Sequence, residues 1–131
     1  MKSEEDIYSL EKLIGQLKGL HAEISQLAKK SPNDGLNVFK LKLVNKVIAS
    51  ANDILEGDYK PFDDFEQFDA DDVPTNSDVT MILTQYMDQT ERFRSDHVGW
   101  STSSYRWYYL LGGKLSTYEG AAPSRVGEGK K

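Results

Sequence analysis

The chain has 131 residues, 38% of them hydrophobic and 28% charged, with a formal net charge of −5 and no cysteine. That length supports a single hydrophobic core, and the missing thiols exclude disulfides, thiolate zinc sites and a cysteine nucleophile. The acidity disfavours nonspecific phosphate binding by the surface as a whole.

The opening MKSEEDIYSL carries acids where a signal peptide carries a basic region and an apolar block. No run approaches the roughly eighteen consecutive apolar residues of a membrane span, so a soluble, cytoplasmic protein is expected. The first element is a helix over 4–30. Ser3 and Asp6 stand at capping-box spacing, Glu4 and Glu5 place negative charge at its start, and Lys29 and Lys30 place positive charge at its end. Ile7, Leu10, Ile14, Leu17, His21, Ile24 and Ala28 recur three and four apart, with Leu13, Leu20 and Leu27 beside them. Such a face packs along the domain, and it is also a seam through which a second copy could pair. Gly15 and Gly19 each cost a helix about 1 kcal/mol, explained either by close approach of a neighbouring helix or by toleration on a packed helix rather than by an isolated rod. His21 is expected to be a partly buried histidine with one hydrogen bond. The only other histidine is His97, and no HxxxH or HExxH spacing occurs, so no metal is assigned.

Ser31 to Gly35, SPNDG, turns the chain. A second helix over 33–56 follows, antiparallel to the first and the most apolar in the sequence. Leu36, Phe39, Leu43, Val44, Val47, Ile48, Ala51, Ile54 and Leu55, widened by Val38 and Leu41, make a stripe that needs two packing partners, and Gly57 is expected to cap its end.

Residues 56–72, EGDYKPFDDFEQFDADD, hold eight acids against one lysine, a local charge of −7 that leaves the rest of the chain at +2. Tyr59, Phe62, Phe65 and Phe68 recur every third residue through this run. Either the aromatics cap the protein's own core and the acids are simply solvated, or Tyr59, Phe62, Asp63, Asp64, Phe65, Glu66, Phe68, Asp69, Asp71 and Asp72 form a surface for a basic protein partner. The aspartates lack the glycine and glutamate of a twelve-residue EF-hand loop.

Thr75, with Asp78 three residues on, starts a third helix over 76–96, buried through Val79, Ile82, Leu83, Tyr86, Thr90 and Phe93, with Gln85, Asp88, Gln89, Glu91, Arg92 and Arg94 mainly outside. At its end lies Arg92-Phe93-Arg94-Ser95-Asp96-His97. Its R-x4-H spacing resembles the ribonuclease motif of HEPN domains, compact helical domains of comparable length. The resemblance covers two residues, and Phe93 stands where that motif usually has a polar residue. It implies Arg92 as phosphate stabiliser and His97 as general acid/base of a metal-independent ribonuclease, with paired protomers building the site.

Gly99 is expected to reverse the chain into an aromatic hairpin of strands 104–111 and 114–118, joined at Gly112-Gly113. Residues 120–131 are small and polar and are expected to be disordered. No GxxxxGK[ST], GxGxxG or GxSxG occurs.

The fold expected is therefore mainly α: an antiparallel bundle of three principal helices with a small C-terminal β-hairpin, forming one domain over 1–119. The function expected is that of a non-enzymatic interaction or regulatory protein, with the HEPN-like ribonuclease as the alternative. No cofactor is implied, and neither a membrane nor a nucleic acid is the expected partner.

Overall fold

A computed structural model describes residues 1–124 and contains three helices, α1 (Glu4–Lys30), α2 (Val38–Ile54) and α3 (Asn76–Asp96). Strands β1 (Val98–Ser101), β2 (Arg106–Leu111) and β3 (Lys114–Glu119) follow them. The chain forms two compact units. One joins Met1–Lys12 to the chain from Glu91 onward, and the other is Leu13–Thr90. Among the described residues no helix is long and apolar enough to cross a membrane.

The start of α1 is fixed as its sequence predicts. The Asp6 carboxylate accepts from the amides of Lys2 and Ser3 at 2.8 and 3.2 Å, and these hydrogen bonds hold its pKa below the usual value. Ile7, Leu10, Leu13, Leu17 and Ile24 are buried, while Ile14, Leu20, His21, Leu27 and Ala28 are half-buried. The close approach expected at Gly15 and Gly19 is absent. A Cβ built at either would meet nothing within 4 Å.

In the Leu13–Thr90 unit, α2 begins later than its apolar run suggests. The residues before it are drawn into extended pairing with the segment that leads into α3. Leu36 donates to the Pro74 carbonyl at 3.0 Å, Asn76 to Asp34 at 2.9 Å and Ser77 to Pro32 at 3.1 Å, with Gly35 bridged to Thr75. Asn37 then caps α2 by accepting from the Lys40 amide at 2.8 Å. The helix ends at Ile54 because Leu55, fully buried, turns into extended conformation; Gly57 lies beyond it, in a 3-10 turn. Leu36, Leu41, Val44, Val47, Ile48, Ala51 and Leu55 form the buried side. Phe39, Val38 and Leu43, read as part of that stripe, are instead exposed, by 70, 59 and 37%. Helix α3 is capped by Thr75, whose hydroxyl accepts from the Asp78 amide at 3.1 Å. Its buried side includes Val79, Leu83, Tyr86 and Thr90. His21 Nε2 lies 3.1 Å from Thr84 Oγ1, and since that hydroxyl spends its proton on Thr80 O, the imidazole is the donor.

The other unit holds an antiparallel sheet of order β1-β2-β3. The hairpin lies where the sequence places it, with Leu111 opposite Lys114 across Gly112 and Gly113, both at positive φ as a two-residue primed turn requires. Strand β1 was not foreseen. It pairs with β2 from Val98 opposite Tyr109 to Ser101 opposite Arg106, so Gly99 sits in a strand rather than reversing the chain. A Cβ at Gly99 would lie 2.9 Å from a Leu115 methyl and 3.0 Å from a Leu110 methyl, so a larger residue there would need those side chains to shift. Met1 O accepts from Gly112, Tyr8 meets Tyr118 edge to face at 5.9 Å, and Tyr109 donates to Glu11 at 3.3 Å. Burial and the nearby Glu11 push the Tyr109 phenol up to about 12.

Candidate functional site

The acidic stretch runs from the end of α2 to the start of α3, with 3-10 turns at Gly57–Tyr59 and Ala70–Asp72. Two asparagines hold it. Asn45 Nδ2 donates to Phe68 O at 3.0 Å while its Oδ1 accepts from Phe68 N at 2.9 Å, the reciprocal pair a neighbouring strand would make. Asn52 Nδ2 reaches Phe65 O and Glu66 O at 3.5 Å, and its Oδ1 accepts from the Tyr86 hydroxyl at 2.8 Å. The spacing has a simple basis. Seven helical residues rise about 10.5 Å and three extended ones span about 10 Å, so Asn45 and Asn52 match Phe68 and Phe65 along the chain.

This pinning sorts the side chains by type. Tyr59, Phe62, Phe65 and Phe68 are half-buried. Phe65 is the hub: it meets Phe68 at 5.1 Å, Phe62 at 6.3 Å and the fully buried Tyr86 at 6.5 Å between ring centroids. Burial raises the Tyr86 phenol, opposed by its bond to Asn52. Asp63, Asp64, Glu66, Asp69, Asp71 and Asp72 are all exposed, and among the described residues none of the six carboxylates forms an ion pair. Asp69 Oδ1 accepts from the Asp71 amide at 2.9 Å and so shapes the second 3-10 turn. Val73, which ends that turn, is a β-branched residue at φ 47°, and this left-handed step returns the chain to the bridge at Gly35 and Thr75. Among the described residues no three histidine, aspartate or glutamate side chains are grouped so as to hold a metal ion.

The R-x4-H pair lies in the other unit. Arg92 is half-buried on α3 and His97 is half-buried just past its end. The imidazole stacks on Phe93 at 4.1 Å and 23°, with Nδ1 2.6 Å from Phe93 O. A carbonyl only accepts, so Nδ1 carries a proton.

The arginine that is buried is Arg94, 8% exposed, although helical spacing puts it outside. It forks onto Glu91 at 2.7 and 2.8 Å and donates to the carbonyls of Ala121 and Ala122 at 2.8 and 2.9 Å. Ser95 and Ser124 hydroxyls donate to the same Glu91 carboxylate at 3.0 and 2.7 Å. Burial alone would raise Glu91, but Arg94 and the two hydroxyls bring it down to about 2. Of the segment expected to be disordered, Gly120 donates to Trp107 O at 3.1 Å and Ala121, Ala122 and Ser124 are hydrogen-bonded to α3, while 125–131 lies outside the described residues.

Sequence reasoning missed Asn45, Asn52 and Arg94. The legible signal was two asparagines seven apart on α2, which places them on one side of it. No protein-family model, curated protein or solved structure matches this chain.

Proposed function

We propose that this chain is a small non-enzymatic interaction protein, cytoplasmic and regulatory in role, whose acidic loop receives a basic protein partner. The helices of the Leu13–Thr90 unit would act as its scaffold in an antiparallel bundle. The observation that carries the reading is the pinned backbone: Asn45 and Asn52 hold residues 65–68 in place while six carboxylates stay exposed and outside ion pairs among the described residues. A connector between two helices needs neither that charge nor that anchoring, and clustered carboxylates on an ordered backbone raise the rate at which a cationic surface is captured. The half-buried phenylalanines support a division of labour in which the rings fasten the loop and the acids meet the partner.

The test neutralises Asp63, Asp64, Glu66, Asp69, Asp71 and Asp72 to Asn or Gln and measures association with a fluorescent oligolysine probe by stopped flow. Solvated charges contribute little to stability, so the melting temperature should hold. Association should slow by about tenfold or more at low salt, and the parent protein should lose the same advantage as salt is raised. Equal rates for parent and variant would sink the proposal.

A further inference from the structure

The exposed side of α2 carries a second surface of opposite character. Phe39 stands three residues before Lys42 and four before Leu43, and Lys46 four after Lys42 and three after Leu43, so a helix brings the four into one contiguous patch, with Val38 at its margin. Phe39 is 70% exposed, Val38 59% and Leu43 37%, and Lys42 and Lys46 are exposed with no ion pair among the described residues. Lys40, by contrast, is tied to Glu23 at 2.8 Å. Helix stability does not account for this pattern. The first turn of α2 contains no acid to pair with Lys42, whereas α1 carries acids in its first turn and lysines in its last. An exposed phenylalanine beside an exposed leucine likewise contributes nothing to the core.

We propose that this face docks an acidic, apolar segment of a protein partner, whose carboxylates meet Lys42 and Lys46 and whose apolar side chains cover Phe39 and Leu43. Charge complementarity fixes the sign of the partner, and the geometry fixes its size. Asp53 occupies the same outward side two turns beyond Lys46, and the acidic loop is fastened to α2 at Asn45 and Asn52. An anionic membrane is a plane and, laid along this side of α2, would be brought against the exposed Asp53 carboxylate, about 10.5 Å along the helix from Lys46. A peptide is narrow enough to lie on the patch alone.

The probe is a fluorescein-labelled helical peptide of about fifteen residues, with leucines along one face and glutamates elsewhere. Its binding to the full chain is read by anisotropy. Two double variants, Phe39→Ser with Leu43→Ser and Lys42→Glu with Lys46→Glu, change only exposed side chains, so circular dichroism and melting temperature serve as folding controls. Saturable binding that weakens by about tenfold or more in each variant, and again when the peptide's leucines become serine, is the expected result. The proposal fails if binding is not saturable, or if it depends on the lysines alone or the apolar pair alone. Retention by phosphatidylserine vesicles in preference to the peptide would also overturn it, in favour of lipid. None of these outcomes bears on the acidic loop, whose probe and variants are different.

Discussion

Gly15 and Gly19 stand one turn apart on α1, exposed, in space that would accept a methyl group. Each lowers helix propensity by about 1 kcal/mol relative to alanine, and among the described residues nothing closes on them to offset that cost. Gly15→Ala and Gly19→Ala should therefore each stabilise the protein by about 1 kcal/mol, read as a higher urea midpoint at unchanged slope. A loss of stability instead would mean that another surface closes on this side of α1. Glu91 makes a prediction in pH. Its carboxyl is lowered from the ordinary 4.5 to about 2 in the folded chain, so the stability it contributes is complete above pH 4.5 and is lost as pH falls through about 2. The stability difference between the parent and Glu91→Gln should be full near neutrality and narrow across that window. If denaturant unfolding shows the same difference at pH 6 and pH 2.5, the ionised carboxylate is not what holds residues 121–124.

Among the elements, the acidic connector is where packing and exposure divide most sharply. Phe65 touches Phe62, Phe68 and Tyr86 but is only half-buried, so Phe65→Ala should cost about 2 kcal/mol, less than a fully buried ring and more than a solvated one. A change below about 0.5 kcal/mol would return the ring to the docking surface. The sequence made the bounds of α1 and α3 legible because capping residues and apolar periodicity agree there. It misplaced the start of α2 because residues 34–36 gain their hydrogen bonds from Pro74, Thr75 and Asn76, about forty residues away, and propensity sees only neighbours. Strand β1 was hidden for a related reason: four residues, one of them glycine, show little alternation until Tyr109 and Trp107 lie opposite. In the candidate site, charge and a three-residue aromatic period disclosed the loop itself. The asparagines that fasten it share one side of α2 by their seven-residue spacing, but the loop backbone atoms they bond leave no mark in a sequence.

At the scale of the whole molecule, charge is distributed unevenly: −7 in seventeen residues of connector and +2 elsewhere, including the lysines of α2. One arrangement described above also bears on how the chain comes into being. Met1, Tyr8 and Glu11 find their partners in Gly112, Tyr118 and Tyr109, so one unit unites segments about a hundred residues apart in sequence. The ribosome makes those partners about a hundred residues after the residues they meet, roughly 5–20 s later at ordinary synthesis rates. The hairpin partners lie close in sequence and can pair within microseconds of emerging. The opening turns of α1 must wait, with Ile7 and Leu10 uncovered on a nascent chain whose middle already has its neighbours. Folding of this unit therefore waits on synthesis of the strands that contain Tyr109 and Tyr118, and that interval is when a holding chaperone would find apolar surface to grip.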